Sequence, residues 1–137
     1  MNTGDSDVLA QAASLRMSLT TLGYDYLLHR QLFAEFLDAI VPLADQVPSL
    51  SFHCRTDSQV EFAYLGQHYC IRHGYDREHK ASTLSCQAKG PADSVGLRPH
   101  QTLVMDKVGN LGRANEKPLW SVRGSSERAF YFLLLGQ

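Results

Sequence analysis

The chain has 137 residues, of which 44% are hydrophobic and 20% are charged, and its net charge is −1. These values are typical of one globular domain, and no stretch is long and apolar enough to cross a bilayer, so we expect a single domain over residues 1–137 and no membrane association. Residues 1–50 carry a net charge of −4 and residues 51–137 one of +3. This division is too weak to indicate a nucleic-acid partner by itself.

The number and spacing of the cysteines indicate the cellular compartment. There are three of them, widely spaced, so they give no disulfide framework. The first residues lack the basic and apolar regions of a secretory signal. We therefore expect a cytoplasmic protein in which residues 1–7 are a polar lead-in.

The first third of the chain is predicted to be helical. Apolar residues recur in steps of four and three from Val8 to Leu22, which places them on one face of a helix. Gly23 suits the position after a helix C-terminus, and Asp25 suits the cap of a second helix that Pro42 ends or kinks. The two helices are expected to form a hairpin. The apolar face of the second helix is Leu28, Leu32, Phe33, Phe36, Leu37 and Ile40.

After Pro48 the apolar period falls to two, which is typical of strands with one covered face. Gly66–Gln67 marks a tight reversal, and a polar loop from Gly74 to Lys80 precedes a fourth strand. These strands are predicted to form an antiparallel meander. Its inward-facing residues are Leu50, Phe52, Cys54, Val60, Phe62, Tyr64, Tyr69, Ile71, His73, Leu84 and Cys86.

The turn after the first strand fixes its register. A three-residue turn at 56–58 places Phe52 opposite Phe62 and Leu50 opposite Tyr64. A two-residue turn would place the apolar residues of the first strand on the wrong face. The hydrophobic pattern therefore favours the three-residue turn.

The last third combines loops, short extended runs and a final apolar segment. Residues 89–100 are predicted to be a long surface loop and are the best candidate for a binding loop. Residues 101–105 are extended and lead into another hairpin before Trp120, which we expect in the core. Residues 126–135 are predicted as a short buried helix that ends at Gly136, although a buried strand fits the same apolar run.

The fold class that follows is α+β. An N-terminal helical hairpin packs on an antiparallel meander of about four to six strands, with a short helix at the C-terminus.

The middle of the chain is rich in histidine and cysteine, but the spacing does not favour one metal site. No two cysteines have the paired CxxC spacing of zinc sites. The predicted register also places Cys54 and Cys86 inward, while His53, His68 and Cys70 point to the opposite face. We interpret Cys54 and Cys86 as small core residues and expect no cofactor.

A smaller metal site is the alternative. His73, Asp76 and His79 lie within one predicted loop and could face a common ion. A polar loop with solvated histidines explains the same residues. If the ion is present, the protein is a small metal-dependent enzyme or a metal-binding protein.

Nucleophilic catalysis has one candidate arrangement. Cys70 lies close in sequence to His68 and His73, and a cysteine nucleophile needs such a base. However, no third group orients the base, and no glycine-rich turn provides an oxyanion hole. We therefore predict no catalytic residue and lean against an enzyme.

The exposed face of the predicted sheet is the candidate binding surface. His53, Glu61 and Arg72 should line up on it, with Arg55 and His68 at its margins. Such a row is usually a solvated face with cross-strand charge pairs. Because arginine is a frequent anchor at interfaces, the row is also a candidate protein-binding site.

These observations favour a non-catalytic interaction module: an adaptor, an inhibitor or a chaperone-like protein. Its expected ligand is a protein partner or a second copy, since edge strands allow dimerisation or strand addition. The sequence does not indicate a small molecule. A nucleic-acid accessory protein is a further, less favoured interpretation, because the basic residues near Trp120 form no recognised module. They are Arg98, Lys107, Arg113, Lys117, Arg123 and Arg128.

Overall fold

The computed structural model describes residues 26–76, 78, 81–89 and 98–137, with the backbone alone at residues 98–100. The helix predicted over residues 8–22, the polar lead-in, His79 and residues 90–97 of the predicted binding loop lie outside this part of the chain. Within it, the α+β class is confirmed: helical segments pack on one antiparallel sheet.

The first described helix, α1, covers residues 26–40 and passes directly into a 3₁₀ helix over Val41–Asp45. Pro42 lies in the first turn of the 3₁₀ helix, where the backbone N–H that proline lacks would have no partner within the helix. The α-helix therefore gives way to a 3₁₀ helix beside Pro42, where the sequence predicted an end or a kink. The predicted apolar face of α1 is also confirmed, because Leu28 is partly buried and its other members are at most 1% exposed.

The sheet has seven strands in chain order, one more than the predicted range, and every neighbouring pair is antiparallel. The additional strand is the last one, which at two residues is too short for an apolar period to be read. The strands are β1 (Leu50–Arg55), β2 (Gln59–Tyr64), β3 (Gln67–Asp76), β4 (Ala81–Ala88), β5 (Arg98–Met105), β6 (Asn110–Gly112) and β7 (Trp120–Ser121).

The predicted register of β1 against β2 is confirmed, with Leu50 opposite Tyr64 and Phe52 opposite Phe62. A β-bulge then interrupts β1, so that Cys54 pairs with Glu61. The prediction of Cys54 as a core residue is wrong: it is exposed. A bulge inserts one residue and reverses the alternation beyond it.

The same bulge moves Arg55 away from the outer face at whose margin it was predicted. Arg55 pairs with the core residue Val60 and reaches α1 instead. Its Nη1 lies 2.7 Å from Asp38 Oδ1, and its Nη2 donates to the carbonyl oxygen of Ala34 at 3.3 Å. Arg55 therefore joins the edge of the sheet to the helix.

Three predicted loop boundaries shift. The turn between β2 and β3 is Leu65–Gly66, not Gly66–Gln67; both turn residues have positive φ (52° and 81°), as in hairpin turns that match the strand twist. The loop predicted from Gly74 is strand up to Asp76, since Gly74 pairs with Thr83. Likewise, residues 98–100 of the predicted long loop belong to β5.

The C-terminal helix α2 (Ser126–Leu135) is confirmed and ends at Gly136, whose φ of 76° is the left-handed conformation that glycine adopts easily. Phe130 of α2 contacts Phe62, with ring centroids 5.4 Å apart. Trp120 is half-buried and packs against Phe132 of α2, with ring centroids 5.0 Å apart.

Both helices lie on the same side of the sheet. Phe33 of α1 stacks on His73 of β3, and α2 contacts β4, β5 and β7. We call this side the inner face. In the described part of the chain neither helix covers the outer face.

Candidate functional site

The outer face of β1–β3 carries a group of mainly polar side chains that we name the outer sheet patch. Four of the five predicted binding residues lie in it, and Arg55 does not. Most of the patch is exposed, while Glu61 and Lys89 are half-buried and Cys70 is buried. Its members are Ser51, His53, Cys54, Glu61, His68, Cys70, Arg72 and Lys89.

Two histidines meet in the patch. The bulge lies at His53, between Phe52 and Cys54, and His53 and Cys54 are both exposed. The residue of β2 that pairs with His68 of β3 is Ala63, whose side chain is small. The His53 and His68 rings therefore approach each other across β2, with centroids 5.8 Å apart at an interplanar angle of 40°.

A charge pair borders the histidines. Lys89 Nζ donates to Glu61 Oε1, and this hydrogen bond is the main cause of a lowered pKa at Glu61. The positive charges of Lys89, Arg72 and His53 act in the same direction. The backbone N–H of Lys89 donates to the carbonyl oxygen of His68 at 2.8 Å, which holds the lysine beside β3. Sequence reasoning assigned Lys89 to a loop and missed this pair.

Cys70 is fully buried although it lies on the outer face. Burial raises the pKa of its thiol, and the neighbouring Arg72 opposes this only in part. His68 shares the outer face with Cys70, whereas His73 lies on the inner face. A buried thiol with a raised pKa is a poor nucleophile at neutral pH, so this geometry does not support catalysis through Cys70.

A second polar cluster lies on the inner face under α1. His73 Nε2 lies 3.0 Å from Ser82 Oγ, and its ring centroid is 5.2 Å from that of Phe33. Burial lowers the pKa of His73 to about 4, assisted by the charges of His29 and Arg30. Ser82 is 0% exposed, so no substrate reaches its hydroxyl. The cluster therefore acts in packing.

Sequence reasoning did not single out His29, which is also 0% exposed and lies 5.1 Å from the Tyr75 ring. It occupies the apolar stripe of α1 one position beyond Leu28. That position is the only signal in the sequence that points to its burial.

The predicted metal set is divided by the sheet. Alternation along β3 places His73 on the inner face and Asp76 on the outer face, and His79 lies outside the described residues. Among the described residues, no three His, Cys, Asp or Glu side chains converge on a metal position. The metal alternative at these residues stays a prediction.

Two depressions lie outside the patch. One of about 430 Å³ is bordered by Asp76, Asp106 and Arg113; the Asp106 carboxylate accepts hydrogen bonds within its own turn, from the backbone N–H groups of Val108 and Asn110. The other, about 280 Å³, runs beside α1, where Arg30 pairs with Asp57 and Arg55 with Asp38. Neither lining includes a histidine or a cysteine.

Comparison with known proteins adds no assignment: no family model, no curated protein and no solved structure matches the chain. In the described residues, no helix has the length and apolarity needed to cross a membrane.

Proposed function

We propose that the protein is a non-catalytic interaction module, of the adaptor, inhibitor or chaperone-like kind, which binds a protein partner through the outer sheet patch. One observation carries the proposal. In the described part of the chain both helices pack on the inner face, while His53, His68 and Arg72 are exposed on the outer face.

The chemistry of the patch suits a protein partner. Arg72 is exposed and lies two residues after the buried Cys70, on the same face of β3. A guanidinium supplies several donors and is a frequent interface anchor. Since Glu61 is engaged by Lys89, the preferred contact for Arg72 is a carboxylate or carbonyl group of the partner.

The inner cluster gives less support to an enzyme. The Ser82 hydroxyl lies beside His73, as a serine nucleophile lies beside its base, but this hydroxyl is fully buried. The thiol of Cys70 is also buried and has a raised pKa. The accessible chemistry of the patch is hydrogen bonding and charge pairing, which fits recognition.

The test is capture of partners from the native cell with a tagged chain, followed by reconstitution from purified components. We expect Arg72→Glu to lose the partner that the wild type retains. In the reconstituted complex, loss of an anchor of about 2 kcal/mol corresponds to an affinity about 30-fold weaker. Arg128→Glu is the matched control, because Arg128 is exposed on α2, which packs on the inner face.

Light scattering on the purified variants separates the two kinds of partner. If the ligand is a second copy, Arg72→Glu shifts the wild-type dimer to a monomer and Arg128→Glu does not. The proposal fails if the wild type binds nothing specific, or if Arg72→Glu binds the same partner with unchanged affinity.

A further inference from the structure

We propose that His53 and His68 form a two-histidine site for a divalent transition-metal ion such as Zn²⁺ or Ni²⁺. Neither histidine belongs to the metal set that the sequence suggested. The inference does not depend on the protein partner, because a metal ion binds to the purified chain alone.

The separation of the two rings suits a shared ion. With metal–nitrogen bonds of about 2.0–2.1 Å and about 1.1 Å from nitrogen to ring centre, two imidazole centroids on one ion lie roughly 4.5–6.3 Å apart as the angle at the metal opens from about 90° to 180°. The observed distance between the centroids of His53 and His68 is 5.8 Å. The observed separation therefore lies within the range for two imidazole rings on one ion.

The backbone holds the two ligands in place. His53 lies on β1 and His68 on β3, and both strands pair with β2. Sites built on strands keep their geometry better than sites on loops. An ion held by both rings links β1 to β3 in the folded protein only, so its binding should stabilise the fold.

Ser51 supports the first ligand. Its Oγ lies 3.3 Å from His53 Nε2. When Nε2 carries the proton and donates to this hydroxyl, Nδ1 has the lone pair that a metal needs. Such a hydrogen bond on the second nitrogen is the usual companion of a histidine ligand.

The described residues supply two of the ion's ligands. The described residues place no third His, Cys, Asp or Glu side chain in a convergent position, so water or an external group completes the shell. Imidazole ligands favour zinc, nickel and copper, whereas magnesium prefers oxygen. Two histidine ligands therefore favour a transition-metal ion such as Zn²⁺ or Ni²⁺, whose other ligands exchange with solvent.

The test is thermal unfolding of the untagged, chelator-treated chain in increasing Zn²⁺ or Ni²⁺, with Mg²⁺ as the hard-cation control. We expect a saturable rise in Tm with Zn²⁺ or Ni²⁺ and none with Mg²⁺. Both His53→Gln and His68→Gln should weaken the apparent affinity at least tenfold. Because both side chains are exposed, these variants are expected to fold.

Two controls locate the site. Cys54→Ser should keep the wild-type affinity, and so should His79→Gln, which removes a residue of the other predicted metal set. No Tm rise up to millimolar metal would overturn the proposal. So would an equal rise in His68→Gln, or a tenfold loss of affinity in Cys54→Ser or His79→Gln.

Discussion

The three thiols of this chain have different surroundings. Cys54 is exposed, while Cys70 and Cys86 are fully buried. Burial raises the pKa of Cys86 to about 12 and also raises that of Cys70. The thiolate is the reactive form of cysteine, so reactivity in the native protein should be confined to one residue.

We therefore predict that a thiol reagent at neutral pH labels one cysteine rapidly in the native protein. The rate is measured by the release of a chromophore, and the labelled residue by peptide mass. Cys54→Ser should abolish the rapid phase, and unfolding should release the other two thiols. Rapid labelling of a second cysteine would mean that a buried position has been assigned incorrectly.

At the scale of elements, an aromatic contact joins β2 to α2. Phe62 is 0% exposed, and its ring lies 5.4–5.5 Å from the rings of Phe52, Tyr69 and Phe130. One side chain thus connects three strands to the C-terminal helix. Aromatic clusters of this kind contribute both buried area and favourable ring geometry.

Phe62→Ala should lower the free energy of unfolding by about 3–5 kcal/mol, because it removes a large buried ring and leaves a cavity. Denaturant unfolding monitored by circular dichroism measures this change. Val108→Ala is the control: Val108 is 63% exposed, and the expected change is within about 0.5 kcal/mol. An unchanged midpoint for Phe62→Ala would contradict the assignment of the inner face.

At the scale of the whole molecule, the histidine under α1 makes stability depend on pH. Burial lowers the pKa of His73 from its ordinary value of 6.5 to about 4 in the folded state. Between these values the unfolded chain binds more protons than the folded chain, so the free energy of unfolding decreases as pH falls. The stability that depends on neutral His73 is fully present above about pH 6.5 and is lost by about pH 4.

Urea unfolding from pH 7 to pH 4 checks this prediction. We expect His73 to contribute a slope of at most about 1.4 kcal/mol per pH unit within the window. His73→Phe keeps a ring against Phe33 and removes the titrating group, so its curve should be flatter. A wild-type curve with no slope, or an identical slope in His73→Phe, would contradict the protonation argument.

Much of the fold follows from local patterns in the sequence. The apolar face of α1, the register of Phe52 against Phe62 and the end of α2 at Gly136 were all predictable, because each depends on residues close together in the chain. Turn boundaries were less certain, since the turn at Leu65 places a residue other than glycine at positive φ.

The candidate site was only partly predictable. Alternation placed His53, Glu61, His68 and Arg72 on one face, as the structure has them. It could not place Cys54 or Arg55, because a bulge leaves no mark in the apolar pattern and reverses every side chain beyond it.

The sequence by itself determined the α+β class, the covered face of β2, β3 and β4 and the mainly polar character of their opposite face, since burial imposes its period on neighbouring residues. Tertiary structure alone decided which distant residues meet: Lys89 with Glu61, His73 with Ser82, and His53 with His68. Such contacts depend on strand pairing and on how a loop returns to the sheet, and no local pattern of residues encodes them.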